Sequence, residues 1–336
     1  MNIDFASILE EAVKRSGSPG AVAYVGNLNE EIFSEAYGYR QIKPQQIVTT
    51  RDTPYDLASL TKVVATTTAL FILHDEQRID FDAPVSIYLP IPSFKVFTLR
   101  QCLTHTAGLI PGRNYYETCS SIDEMLQRYA KVEPSSSPGA ARRYSDVGFI
   151  ILGRIVELVA REPLDRFCVR RIFQPLGMNK TSFRPPADWA SSCAATEVNT
   201  TRPFCGVVHD PNAYAVGGVS GHAGLFSTAG DLASFCRALI SGKIVSKDTL
   251  DEALRPGQVP TYPWQGLGWK VDPWSCSVEG YLPSRFAIGH TGWTGTSIWM
   301  DRDSGNFVIL LSNTCHPSAN HRDNTTLRRV FHTAVA

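Results

Sequence analysis

Nowhere in its 336 residues does this chain hold an apolar run approaching the ~20 residues that a membrane-spanning helix needs. It also lacks an excess of either charge, because 32 Lys and Arg balance 32 Asp and Glu. Without a basic surplus there is no electrostatic case for nucleic acid or an anionic membrane as partner. The eight cysteines form no C-x-x-C pair. In a chain this long they read as buried free thiols and not as a disulfide framework. There is no H-E-x-x-H and no clustered Cys/His set, so zinc is disfavoured and neither metal nor cofactor is expected. No serine sits in G-x-S-x-G, which excludes the α/β-hydrolase elbow. No Gly-Lys-[Ser/Thr] follows the glycines from Gly217 to Gly224, so they are not a phosphate loop. Repeats, charged tails and coiled-coil patterns are absent, which leaves an interaction scaffold with the least support. Met1 to Arg15 reads as an amphipathic surface helix, without the basic and then apolar order of a signal peptide, and a cytoplasmic location is expected.

Strand patterns occupy both ends of the chain and helical patterns its middle. Ala21 to Val25 and Glu31 to Tyr39 read as strands. So do Leu267 to Val271, Ala287 to Gly289, Thr296 to Asp301 and Phe307 to Ser312, and a helix follows Thr325. Between them, Thr98-x-x-Gln101 has the form of a capping box, with its helix ending near Gly108. Ser145 or Asp146 can cap a helix from Val147 to about Ala160. Asp231 to Leu239 reads as a further helix, and Arg184 to Val216 as an irregular surface excursion. The expected fold is α+β: an antiparallel sheet built from both termini, flanked by helices, with a mainly helical region inserted. One catalytic domain over 1–336 is expected, its α/β part about 1–75 and 225–336 and its helical part about 76–224.

Within that frame one short stretch stands out. Of the nine lysines, only Lys62 has a serine, Ser59, three positions before it. From Leu57 to His74 the chain carries no other formal charge, and its apolar residues recur at helical spacing. A lone lysine in a buried helix is costly unless something pairs with it. Residues three apart share a helix face, so the Ser59 hydroxyl and the Lys62 amine can meet. Burial lowers a lysine pKa, which would let Lys62 activate Ser59 as a nucleophile. The plainer alternatives are that Lys62 snorkels to the surface and that Ser59 merely caps the helix.

The order Ser59-x-x-Lys62, Tyr144-Ser145-Asp146, His290-Thr291-Gly292 resembles the three-motif pattern of penicillin-recognising serine enzymes. It is most similar to the class C β-lactamase-like branch, with its D-aminopeptidases and family VIII carboxylesterases. Leu103-Thr104-His105-Thr106-Ala107-Gly108-Leu109 and Gly266-Leu267-Gly268-Trp269 fit the same pattern. A narrower resemblance, to a subgroup containing muropeptide amidases, rests on Val208-His209-Asp210-Pro211-Asn212-Ala213 and on Gly217 to Ser227. The resemblance implies Ser59 as nucleophile, Lys62 as its activator and Tyr144 as proton shuttle. It implies an oxyanion hole from the backbone N–H groups of Ser59 and Trp293, with His290, Thr291 and Gly292 along the substrate edge. A small carboxylic ester or amide is the implied substrate, with cell-wall peptides among the candidates.

Two positions depart from the pattern. His290 stands where β-lactamases usually have lysine, and a histidine carries only partial charge near pH 7. Asp146 stands where class C enzymes usually have asparagine, and a carboxylate cannot donate to a substrate carbonyl. Both favour an esterase or amidase over a dedicated β-lactamase, although Asp146 is also read as a helix cap. His209 and Asp210 either contact substrate or make loop hydrogen bonds. His105 reads as part of a helix-ending turn, and Trp264, Trp269, Trp293 and Trp299 as acyl-pocket walls or core. A non-catalytic sensor of β-lactams or cell-wall peptides is the competing class.

Overall fold

A computed structural model describes residues 3–198, 204–255, 265–271, 287–321 and 323–335. Strands from the two ends of the chain interleave into one sheet. They are β1 (Gly20–Gly26), β2 (Glu31–Gln41), β3 (Ile47–Val48), β6 (Ala287–Thr291), β7 (Ser297–Asp301) and β8 (Phe307–Ser312), in the order β3-β2-β1-β8-β7-β6. Every neighbouring pair is antiparallel. The period of two sorts the side chains. Ala21, Ala23 and Val25 of β1 and Val308 and Leu310 of β8 face one side, against Leu9 and Val13 of helix α1 (Phe5–Ser16) and Leu327 and Phe331 of the closing helix Asn324–Val335. Val22 and Tyr24, with Phe307, Ile309 and Leu311, face the opposite core.

That larger core continues into the inserted helical region. Helix α2 (Thr68–Asp75), α3 (Leu99–Leu103) and α4 (Asp146–Ala160) bury Leu70, Phe71, Leu99, Phe149, Ile150 and Ile155 within it. A two-stranded ribbon of β4 (Tyr55–Asp56) and β5 (Phe226–Ser227) leads into the Ser59 segment. The seven described cysteines are free thiols, six of them buried. No helix among the described residues is long and apolar enough to cross a membrane.

Several expectations are corrected. Leu267 to Val271 is not a strand: only isolated bridges join Lys270 to Gln265 and Gly289, because Gly268 at φ +77 breaks the extended run. The helix capped by Thr98 ends at Leu103, well short of Gly108, since His105 adopts φ +60. The capping box itself is present. The excursion from Arg184 to Val216 carries two short helices, Ala187–Ala190 and Pro211–Ala215. The run from Ala58 is not one regular helix either. A 3₁₀ turn (Ala58–Leu60) gives way to a π-helical stretch (Lys62–Thr67) before α2. The Thr68 hydroxyl bonds the Val63 carbonyl at 2.8 Å within it.

Candidate active site

Lys62 is wholly buried, and each of its three ammonium protons has an acceptor. Nζ donates to Ser59 Oγ at 2.9 Å and to the His222 carbonyl at 3.0 Å, and it lies 2.7 Å from Asp146 Oδ1. A buried cation is tolerated when it is paired and hydrogen-bonded in this way. Neither plain alternative survives: Lys62 does not snorkel, and the Ser59 side chain makes no cap bond. Burial by itself would lower the Lys62 pKa, but the Asp146 carboxylate and Tyr144 outweigh it and the net shift is upward. Lys62 therefore rests as an ammonium ion, and its pKa moves opposite to the lowering expected from burial.

The Tyr144 hydroxyl donates to the same Ser59 Oγ at 2.8 Å. Burial pushes its phenol pKa up, and Lys62 only partly offsets this, so Tyr144 rests protonated. Two residues assigned no role at the site from the sequence, His105 and His222, fix this arrangement. His105 brackets Tyr144: its carbonyl accepts from Arg143 N at 2.8 Å and its Nδ1 from Ser145 N at 3.2 Å. Its ring also packs against Tyr144 at 4.6 Å between centroids. His222 presents the carbonyl that holds Lys62, and its ring is locked between Ser220 Oγ at 2.8 Å and Asp210 Oδ1 at 3.0 Å. The only sequence signals were the positions of these histidines inside the Thr104-His105-Thr106 and Ser220-Gly221-His222 runs.

Asp146 is not the cap of α4. Ser145 takes that place, its Oγ accepting from Gly148 N, which frees the Asp146 carboxylate for Lys62. Asp210 caps the helix Pro211–Ala215 through Ala213 N and holds His222. His209 places its Nε2 3.3 Å from Glu197 and stacks its ring on Trp293 at 4.5 Å and 19°. Neither His209 nor Asp210 is among the side chains lining the cleft.

The edge strand closes the other wall. A cleft of about 550 Å³ is lined by Ser59, Tyr144, His290, Thr291, Gly292 and Trp293, with Arg142, Lys270 and Arg328 also on its walls. Gly289 and Gly292 are required for packing between parts of the chain. A methyl group at Gly289 would meet the Trp299 ring at 2.0 Å, and one at Gly292 the Leu57 carbonyl at 2.5 Å. Thr294 Oγ1 and Thr296 Oγ1 then donate to the carbonyls of Asp56 and Leu57, at 2.7 and 3.1 Å, docking the Trp293 turn on the Ser59 segment. Trp293 is 39% exposed, whereas Trp269 and Trp299 are buried core and no acyl pocket. Trp264 lies outside the described residues.

His290 is buried, and burial together with Lys270, Lys62 and His105 holds its pKa well below the usual histidine range. Its Nδ1 donates to the Thr291 carbonyl at 2.9 Å. It is therefore neutral at pH 7 and not partly charged. His105 is held down by burial and by Arg142, Lys62 and Lys270, and His332 is pushed down to about 3 by burial and Arg328. An unfolded chain protonates these three rings near pH 6.5 and the fold excludes those protons, so their contribution is complete above pH 6.5 and lost as pH falls below it. Stability is expected to drop by about 3–4 kcal/mol between pH 7 and about 5.5. Urea midpoints at the two pH values check this, and equal midpoints would contradict the neutral assignments.

A six-stranded antiparallel sheet with a helical insertion, and a Ser-Lys-Tyr cluster at their seam, define the architecture of the β-lactamase and transpeptidase class. The fold matches that of an octameric penicillin-binding protein homologue from Pyrococcus abyssi with a TM-score of 0.80, at 21% identity over 100% of this chain and 77% of that one. It matches EstCE1, a hydrolase with promiscuous acyltransferase activity, at 0.77 and 21%, covering 98% and 97% of the chains. A class C β-lactamase from Rhodobacter sphaeroides matches at 0.77 and 20%, covering 99% of each. The β-lactamase family profile matches residues 5–332, and the chain belongs to that family of serine hydrolases. It is 33% identical over 359 aligned residues to a curated Salmonella agona protein named "Putative D-alanyl-D-alanine carboxypeptidase", covering 92% of this chain and 82% of that one. The same figures hold for the protein of that name from Salmonella typhi.

Proposed function

We propose that the chain is a carboxylesterase that works through an acyl-enzyme on Ser59, residues 1–336 acting as one catalytic unit. The observation that carries this reading is the convergence of Lys62 Nζ and Tyr144 Oη on Ser59 Oγ, at 2.9 and 2.8 Å, in an open cleft. With Lys62 an ammonium and Tyr144 protonated, the proton moves by exchange. On substrate binding Tyr144 turns its hydroxyl to the leaving-group oxygen. Ser59 Oγ bonds the acyl carbon and gives its proton to Tyr144, which passes its own proton to the leaving-group oxygen; the bond between that oxygen and the acyl carbon then breaks and the alcohol departs. Lys62 stabilises the charge that develops between them. The backbone N–H groups of Ser59 and Trp293 receive the oxyanion. Water reverses the same exchange to release the acid. Neutral His290, exposed Trp293 and the lack of a fixed cation at position 290 favour small uncharged acyl groups.

A second reading, a D-amino-acid peptidase or muropeptide amidase, is favoured by Arg142, Lys270 and Arg328, which outweigh the single acid Asp323 on the cleft walls, and by the name of the curated relatives. Such walls suit a substrate carboxylate. A sensor that stalls as acyl-enzyme has no such observation behind it. Comparison of p-nitrophenyl acetate and butyrate with D-alanyl-D-alanine peptides and N-acetylmuramyl-L-alanine peptides tests the choice. Ester kcat/KM is expected to lead, and amide turnover above ester turnover would replace the esterase reading with the second one.

A further inference from the structure

We propose that Asp56 is a positioning residue that joins the Ser59 turn to the Trp293 turn and so sets the geometry of the oxyanion site. The inference rests on the reading of Ser59 as nucleophile. Asp56 is 2% exposed, yet among the described residues its carboxylate bonds backbone N–H groups and no Lys or Arg. Oδ1 accepts from Ala58 N at 2.8 Å and Oδ2 from His209 N at 2.7 Å. Its own carbonyl accepts from Thr294 Oγ1 at 2.7 Å. Three chain segments far apart in sequence therefore meet on one residue.

Each of those bonds leads to a part of the proposed machinery. Ala58 directly precedes Ser59 and holds φ +47, a left-handed conformation that a residue with a side chain adopts only under constraint. The Oδ1 bond supplies that constraint, from a side chain two residues earlier. His209 carries the ring on which Trp293 stacks, and Thr294 adjoins Trp293. A carboxylate offers a separate oxygen to each of two N–H groups, which neither an alcohol nor an apolar side chain does. Burial pushes its carboxyl pKa up and the two N–H bonds pull it back only in part, so the net shift is upward. A cap bond for stability alone needs one oxygen. Here one oxygen holds the residue before Ser59 and the other holds His209, on whose ring the cleft residue Trp293 stacks.

The test uses the full chain and two readouts, p-nitrophenyl acetate turnover and the rate of Ser59 labelling by a fluorophosphonate, with melting curves to report the folded fraction. Asp56→Ala loses both bonds, and its kcat and labelling rate are expected to fall about 100-fold with KM within about twofold, because oxyanion contacts act in the transition state. Asp56→Asn keeps one acceptor oxygen for Ala58 N but turns a donor toward His209 N, and an intermediate kcat is expected. Asp56→Asn decides the matter alone if the alanine variant does not fold. Full kcat in Asp56→Asn, a loss confined to KM, or a loss that tracks the unfolded fraction would overturn the role of Asp56. A wild-type chain that neither turns over ester nor labels at Ser59 would instead overturn the esterase reading, and the role of Asp56 with it.

Discussion

Ser59→Ala is expected to lower ester kcat by about 10⁴- to 10⁶-fold, the range seen when a serine nucleophile is removed and only the oxyanion site and binding remain. The melting temperature should hardly change. Lys62 keeps the His222 carbonyl and Asp146 as partners, and Tyr144 keeps its packing against His105. Intact-mass spectrometry after fluorophosphonate treatment should show one adduct in the wild type and none in the variant. The competing candidate is Ser220, which with His222 and Asp210 forms a Ser-His-Asp series of hydrogen bonds. Geometry sets it aside: Ser220 and His222 are each 2% exposed, so no acyl carbon can reach the Ser220 hydroxyl. Retained turnover in Ser59→Ala, or an adduct that persists, would move the chemistry to another residue.

The sheet was legible because short runs rich in β-branched and aromatic residues are set off by turns, whether one face meets a core or both do, as in β8. Glu31 to Tyr39 and Phe307 to Ser312 read as strands, and β2 and β8 form over those residues. Ser59 and Lys62 were legible because an isolated lysine in an apolar run demands a partner. What could not be read depends on positive φ and on long-range pairing. Gly268 and His105 bend segments whose side-chain pattern alone suggests a longer strand and a longer helix. The Lys62 pKa reverses its expected direction because Asp146, 84 positions away, pairs with it, and which of Ser145 and Asp146 caps α4 decides whether that carboxylate is available. Likewise chemical type left His209 and Asp210 open between substrate contacts and loop hydrogen bonds, and their partners are Glu197, Trp293, His222 and Ala213. Each of these facts is a backbone angle, a cap or a tertiary contact, and none leaves a local periodicity to detect.

Lys62→Met separates catalysis from folding at that contact. Methionine matches the lysine stem in length and has no charge to hide, and removing one member of a buried pair is costly only where the other is left charged and cut off from water. Its Asp146 partner is 37% exposed on its side chain and can be hydrated where it stands. Stability is therefore expected to stay within about 1–2 kcal/mol, the loss coming from the unbonded His222 carbonyl. Turnover should fall by about 10³- to 10⁴-fold, since the charge passing between Ser59 and Tyr144 loses its counter-ion. Asp146→Ala should behave in the opposite way. It leaves a wholly buried ammonium with only neutral acceptors, so stability falls by about 2–4 kcal/mol, while Ser59, Lys62 and Tyr144 remain and kcat drops only about tenfold. Urea unfolding and ester kinetics on the two variants give both quantities. If Lys62→Met were the less stable protein and the more active enzyme, Lys62 would be a structural cation and the exchange through Tyr144 would have to proceed without it.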